Sequence, residues 1–229
     1  MEKGQKKKLD ADLWIIALIT MGVYTFYFIF GSKVMEFCKN SSIPVFPRLF
    51  AAAAMEFGIS GLGITVDCLI RKERFTEFGL KKENALKAIL LTVICFFPFI
   101  ALRFLSGEFE GYEPLSIMVT PDLHKAGIIT SIIGTLVIAI VWGFFEGFNY
   151  VVIGDKISLR YPSKKEFWDW GAFICALMGI LFHPISTSFW GIADIISTFI
   201  ALYGMIIIKK KTGNAWGAVF AFLFIWNAF

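Results

Sequence analysis

The sequence predicts an all-α, polytopic membrane protein with about seven transmembrane helices and its N-terminus inside. Hydrophobic residues make up 57% of the 229 residues, and the mean hydropathy is +0.71. Apolar stretches of the roughly 20 residues that a helix needs to cross a bilayer recur along the chain. Because lipid offers no hydrogen-bond partners, each stretch must pair its backbone groups internally, so we expect α-helices. No internal repeat or linker interrupts the pattern, which predicts one domain over residues 1–229.

Seven apolar segments are the candidates for these helices. They cover residues 13–30, 49–70, 88–105, 128–153, 171–185, 189–208 and 215–229. The first is too long for the core of a signal peptide and lacks a cleavage site of small residues, so we expect it to remain as a span. The charged segment 71–87 contains phenylalanines that favour a short piece at the membrane interface. The lipid bilayer is therefore the first predicted partner.

The basic residues are distributed unevenly among the connecting segments. With the N-terminus inside, most of the 22 lysines and arginines fall on the inside face, whereas the acidic loop 107–125 falls outside. This asymmetry follows the positive-inside rule and predicts a multi-pass protein of the cell membrane with its C-terminus outside. The net charge of +4 is explained by this topology, so no nucleic-acid partner is expected.

A carboxyl group lies inside the fourth apolar segment. Glu146 is followed three and four residues later by Asn149 and Tyr150, so the three side chains share one helical face. A charge near the middle of a membrane helix costs about 2.5–3.5 kcal/mol, which makes Glu146 a candidate for function with Asn149 and Tyr150 as supporting groups. The alternative is a helix-packing motif with a buried structural glutamate.

Two glycines flank this carboxyl group. Gly143 and Gly147 form a G-x-x-x-G pattern, which in membrane helices lets a second helix approach closely. We therefore expect a tightly packed helix beside Glu146.

Polar residues also form a stripe on the second predicted span. Glu56, Ser60, Gly63 and Asp67 recur at spacings of four, three and four, which places them on one helical face. The stripe predicts either hydrogen bonding between helices or a lining for the same cavity as Glu146. Asp67 lies near the end of the span, and we expect it to be solvated.

The remaining polar residues of the apolar segments suit structural roles. Asp194 has Ser197 and Thr198 on its face, which predicts hydrogen bonds between helices. The four cysteines form no C-x-x-C pattern, and we expect them to pack in the core. The two histidines form no H-E-x-x-H motif and lie on different segments, so neither a metal nor another cofactor is expected.

Among the polar residues of the apolar segments, a glutamate, His183 and an amide such as that of Asn227 would suit hydrolysis. The alternative for His183 is a packing role. A glutamate and a histidine on adjacent helices could activate a water molecule, with the carboxylate as general base and the imidazole as its partner. The amide of Asn227 could donate a hydrogen bond to the oxyanion. On straight helices Glu146 and His183 would lie about 9 Å apart in depth, a gap that a kink at Pro184 could close.

The order of these residues resembles the motifs of the CPBP family of intramembrane proteases. This family includes type II CAAX prenyl endopeptidases and bacteriocin-processing or immunity proteins. Its motif E-E-x-x-x-R corresponds to residues 146–151, F-x-x-x-H to 179–183 and H-x-x-x-N/D to 223–227. Three motif positions match, and they are Glu146, His183 and Asn227. Four differ, because the family's second Glu, Arg, Phe and third-motif His are replaced by Gly147, Val151, Gly179 and Leu223.

The resemblance implies an activity and a division of the chain. It implies a CPBP-like core over residues 71–229, preceded by two N-terminal helices in residues 1–70. Glu146 would activate water with His183, and Asn227 would stabilise the oxyanion. The implied reaction is metal-independent hydrolysis of a membrane-associated substrate, either a CAAX-type prenylated peptide or a leader peptide.

Two other functions stay open. The replacements Gly147, Val151 and Leu223 favour a catalytically inactive relative with a binding or immunity role. A transporter would use the carboxyl groups of the apolar segments as a proton or ion path. No inverted repeat supports the transporter.

Overall fold

The computed structural model describes residues 2–107, 109, 111–181 and 185–229. Within these ranges the chain is helical and contains no strand, so the predicted all-α fold is confirmed. The α-helices are α1 (Lys3–Lys39), α2 (Val45–Ser60), α3 (Leu62–Arg71), α4 (Ala85–Leu105), α5 (Thr120–Lys125), α6 (Ile128–Ile138), α7 (Glu146–Arg160), α8 (Trp170–Leu181), α9 (Phe189–Thr212) and α10 (Trp216–Ala221). A 3-10 turn covers Phe75–Phe78, and π-helical segments cover Ala139–Phe145 and Phe222–Trp226.

Four of the described helices are long and apolar enough to cross a membrane, by length and composition. They are Lys3–Lys39, Ala85–Leu105, Ile128–Arg160 and Phe189–Thr212. The bent pair α2 and α3 makes a fifth if it counts as one span. The fifth and seventh predicted spans correspond to shorter apolar helices, Trp170–Leu181 and Trp216–Trp226. The described chain therefore contains several candidate membrane-spanning helices.

The second predicted span is not one continuous helix. It breaks at Gly61, where α2 and α3 are bent by 56°. The hydroxyl of Ser60 donates a hydrogen bond to the carbonyl of Glu56, 2.9 Å away, a local bond that tends to bend helices. A side chain at Gly61 would also meet the rings of Phe57 and Phe145, so the bend packs directly against the segment before Glu146.

Asp67 is fully buried, which corrects the expectation that it is solvated. Its carboxylate lies 2.8 Å from the ammonium group of Lys156, which also binds Asp12 at 2.9 Å and Glu73 at 2.8 Å. Arg71 adds a second contact to Asp12 at 2.5 Å. Burial alone raises the pKa of Glu73, but hydrogen bonds from Lys156 and Lys8 hold that pKa below its usual value.

The cluster around Lys156 lies at one end of the molecule, and further ion pairs join several helix ends there. They join Arg160 to Asp10, Lys209 to Asp155, Lys210 to Asp169 and Lys211 to Glu166. They connect the start of α1, the ends of α7 and α9, and the segment before α8. The side chain of Asn214, just before α10, binds the carbonyls of Lys81 and Glu83, just before α4. We call this the ion-paired end.

The opposite end is held by a different ion pair. Arg48, at the start of α2, lies 2.6 Å from Asp122 in α5, within the loop that was expected to be acidic and outside. The hydrogen bond from Arg48 lowers the pKa of Asp122. The long helices alternate in direction between these two ends. For example, α1 begins at the ion-paired end and α2 begins at the opposite end.

The packed core lies among α4, α7, α8, α9 and α10, whereas α1 packs on one side against α2, α3 and α7. The charged segment 71–87 reaches into the core, because the ring of Phe75 lies 5.1 Å from that of Phe148 in α7. Cys38, Cys68 and Cys175 are buried, which confirms their predicted packing role.

Candidate functional site

Two interruptions of regular α-helix mark the site. The π-helical segment Ala139–Phe145 ends directly before Glu146, and the segment Phe222–Trp226 ends directly before Asn227. Short π-helical segments inside helices are rare and occur frequently at functional sites. The two segments also pack against each other. Each therefore positions the residue that follows it toward the other.

Glu146 and Asn227 meet through a hydrogen bond. The side-chain amide of Asn227 donates to Oε2 of Glu146 across 3.3 Å, and the two residues are 81 positions apart in the chain. The structure thus brings together two of the three residues that match the family motifs. This bond uses one of the about four acceptor sites of an ionised carboxylate. Glu146 can therefore accept further hydrogen bonds.

A large cavity opens on the other side of Glu146. Its volume is about 1530 Å³, and its walls come from α1, α2, α7 and α8. Glu146, Asn149 and Tyr150 all line it, so the predicted shared face of these three residues is confirmed. We call this space the large cavity.

The polar stripe of α2 belongs to the same cavity. Glu56 and Ser60 line it together with Glu146, which favours the second of the two predicted roles for the stripe. Tyr24 of α1 also lines the cavity and was not predicted. Thr20 and Tyr27 lie four residues before and three after it on the same wall, so helical spacing of hydroxyl groups was the signal available in the sequence.

The G-x-x-x-G glycines pack against the last helical segments, as predicted. A Cβ at Gly147 would lie 2.8 Å from the carbonyl oxygen of Ala218 and 3.0 Å from the ring of Phe222. A Cβ at Gly143 would overlap the side chain of Leu223. Two motif positions that differ from the family, 147 and 223, are therefore filled by close apolar packing.

Close packing also fills positions 151 and 179, where Val151 and Gly179 replace the family's Arg and Phe. Val151 is fully buried in the core. A Cβ at Gly179 would overlap Leu202 and would lie 3.3 Å from the hydroxyl of Tyr150, whose ring stacks on Phe222 with centroids 5.4 Å apart. Tyr150 is thus held in place between the large cavity, Phe222 and α8.

A second, smaller pocket lies on the far side of Asn227. Its volume is about 300 Å³, and Gly179, Arg103, Asp194 and Asn227 help to line it. Arg103 of α4 donates to Asp194 of α9 across 3.0 Å, which confirms the predicted hydrogen bonding between helices at Asp194.

His183 lies outside the described residues, together with its neighbours 182 and 184. The described part of α8 ends at Leu181. The pairing of His183 with Glu146 therefore stays a prediction.

One group of carboxylates resembles a cation site. Asp12, Asp67 and Glu73 place their oxygens within 4.8 Å of one another. The ammonium group of Lys156 contacts all three, so it stands where a metal ion would bind. This arrangement suits a structural ion cluster.

Comparison with known proteins adds no assignment, because no family model, no curated protein and no solved structure matches the chain. The resemblance to the CPBP family therefore depends on the motif positions of Glu146, His183 and Asn227.

Proposed function

We propose that this chain is a CPBP-type peptidase of the cell membrane that hydrolyses a membrane-associated peptide without a metal. The observation that carries the proposal is the hydrogen bond between Glu146 and Asn227. These residues match the first and third family motifs, and Glu146 faces a cavity of about 1530 Å³ with largely apolar walls. Such a space suits a prenyl chain or an apolar leader segment beside the carboxyl group.

We further propose that the chain crosses the membrane seven times with its N-terminus inside. The alternating helix ends and the basic residues at the ion-paired end support this topology. Trp170–Leu181 and Trp216–Trp226 are shorter than the bilayer core, but both pack among longer helices. Segments surrounded by protein at membrane depth need not contact lipid along a full span.

In the proposed reaction, Glu146 takes a proton from a water molecule as the water oxygen attacks the peptide carbonyl carbon. The amide of Asn227 has two N–H groups. One binds Glu146 and the other can donate to the oxyanion of the tetrahedral intermediate. The C–N bond then breaks as the proton passes from Glu146 to the leaving amine. His183 is assigned from its motif position as the partner of Glu146.

Cleavage by the purified protein in liposomes tests this function. Farnesylated CAAX peptides and apolar leader peptides serve as substrates, and products are identified by mass spectrometry. We expect Glu146→Gln and His183→Ala to abolish cleavage, and Asn227→Ala to slow it by about 10²–10³. Glu36→Gln, which removes an exposed carboxyl group of α1, is the matched control and should cleave normally. Equal cleavage by the wild type, Glu146→Gln and His183→Ala would rule the peptidase out.

A second candidate is an inactive relative that binds a partner in the membrane. It is favoured by the packing that fills positions 147, 151 and 223. Its cellular phenotype would survive Glu146→Gln and disappear with Gly143→Leu, because the larger side chain would separate the helix from Leu223. Loss of the phenotype in Glu146→Gln would exclude this candidate.

A further inference from the structure

The large cavity reaches the outer surface of the helix bundle. Met21 and Phe28 of α1 and Trp170 of α8 line it, and they are 62%, 92% and 43% exposed. Pockets for small ligands usually measure about 300–1,000 Å³, so the volume of about 1530 Å³ is sufficient for a ligand of that size. In a membrane, an opening between α1 and α8 would admit molecules from the lipid phase.

The cavity combines apolar walls with two acidic side chains. Glu56 from α2 and Glu146 from α7 line it, and both are half-buried. Among the described residues that line it, none is a lysine, an arginine or a histidine. A carboxyl group in apolar surroundings stays neutral unless a positive charge compensates its ionised form. A cation in the cavity would therefore meet two carboxyl groups able to ionise beside it and no competing positive charge from the described lining.

Aromatic side chains complete this lining. Tyr24, Tyr27, Phe28, Tyr150 and Trp170 contribute rings from α1, α7 and α8. The face of an aromatic ring attracts a cation, and the attraction is stronger where water is excluded. The same rings offer an apolar surface to the hydrocarbon part of a ligand. Aromatic rings and carboxyl groups in one apolar space favour a molecule that is both apolar and positively charged.

We propose that the large cavity binds a lipophilic organic cation that enters from the membrane, with its charge near Glu56 and Glu146 and its hydrocarbon against the aromatic wall. This binding needs neither Asn227 nor a hydrolysed bond. It therefore stands even if the peptidase test fails.

Two ions of the same shape and opposite charge provide the test. Tetraphenylphosphonium and tetraphenylborate are titrated separately into the purified full chain in detergent, and binding is followed by isothermal titration calorimetry. We expect saturable binding of the phosphonium and none of the borate. Glu56→Gln and Glu146→Gln should each weaken phosphonium binding by about tenfold or more, because each removes a charge from a water-poor site. Glu56→Asp, which keeps the charge, should retain most of the affinity.

Glu36→Gln is the control variant, since its carboxyl group is exposed and does not line the cavity. It should bind the phosphonium as the wild type does. Equal binding of the two ions, or equal phosphonium affinity in the wild type and the Glu56→Gln/Glu146→Gln double variant, would overturn the proposal. If the double variant aggregates during size-exclusion chromatography, the comparison of the two ions on the wild type decides alone.

Discussion

Gly147 shows how a single position can limit the chemistry of its neighbour. The family motif would place a second glutamate here, directly after Glu146. The carbonyl oxygen of Ala218 lies where even a Cβ would approach to 2.8 Å. Backbone cannot move aside as a flexible side chain can, so this position excludes a carboxyl group in the present packing. Glu146 therefore depends on Asn227 and on residues from other helices for its support.

Replacement of Gly147 by alanine should destabilise the protein. The added methyl group overpacks the contact with Ala218 and Phe222, and overpacking of this kind costs about 1–3 kcal/mol. Gly22→Ala is the matched control, because a Cβ there meets nothing within 4 Å. Alanine in an open helical position should be neutral or stabilising by about 0.5–1 kcal/mol. Thermal unfolding followed by tryptophan fluorescence measures both, and a Gly147→Ala protein as stable as the Gly22→Ala protein would contradict the packing.

At the scale of the element, α1 is held by ion pairs in its first turns and by packing against α2 and α3 along one side. Only 6% of its most apolar stretch is buried, and part of its middle lines the large cavity. Its first turns carry Asp10 and Asp12, which bind Arg160, Arg71 and Lys156. The ion pairs therefore add to the packing that holds this wall of the cavity.

Removal of the Lys156 ammonium group should loosen this attachment. Lys156→Met leaves Asp67 buried without its cation, and the loss of one partner from a buried ion pair costs about 3–5 kcal/mol. Lys7→Met, in the exposed part of α1, should change the free energy of unfolding by less than about 0.5 kcal/mol. Denaturant unfolding in detergent compares the two. Equal stability would show that the cluster contributes nothing to holding α1.

At the scale of the whole molecule, charge separates the two ends. The ion-paired end contains most of the described ion pairs, and the opposite end contains the pair between Arg48 and Asp122. Glu113 lies near this opposite end, where its backbone N–H donates to the carbonyl of Ala228. The proposed topology places this end outside the cell.

Cysteine labelling in intact cells tests that orientation. A membrane-impermeant maleimide should label Glu113→Cys from outside and Lys164→Cys only after permeabilisation, because both positions are exposed and lie at opposite ends. The wild type reports any labelling of the native cysteines, three of which are buried. Labelling of Lys164→Cys alone in intact cells would reverse the orientation.

Features that depend on neighbours in the chain could be predicted from the sequence. The shared face of Glu146, Asn149 and Tyr150 follows from helical spacing, and the close approach at Gly147 follows from the absence of a side chain. Burial of Asp67 could not be foreseen, because its cation comes from a distant helix. The contact between Glu146 and Asn227 was implied only by the family resemblance, since residue spacing alone does not place two distant helices side by side.

The π-helical segment before Glu146 also determines how the helix is wound. An α-helix turns about 100° per residue, and a π-helical turn takes up one residue more than an α-helical turn. If the same residues between Ala139 and Phe145 formed regular α-helix instead, the chain would wind further before it reached Glu146. Glu146 would then be rotated by about 100° relative to the preceding helix and would point away from Asn227. The direction of this carboxyl group therefore depends on how the segment before it is wound, as well as on the identity of its residues.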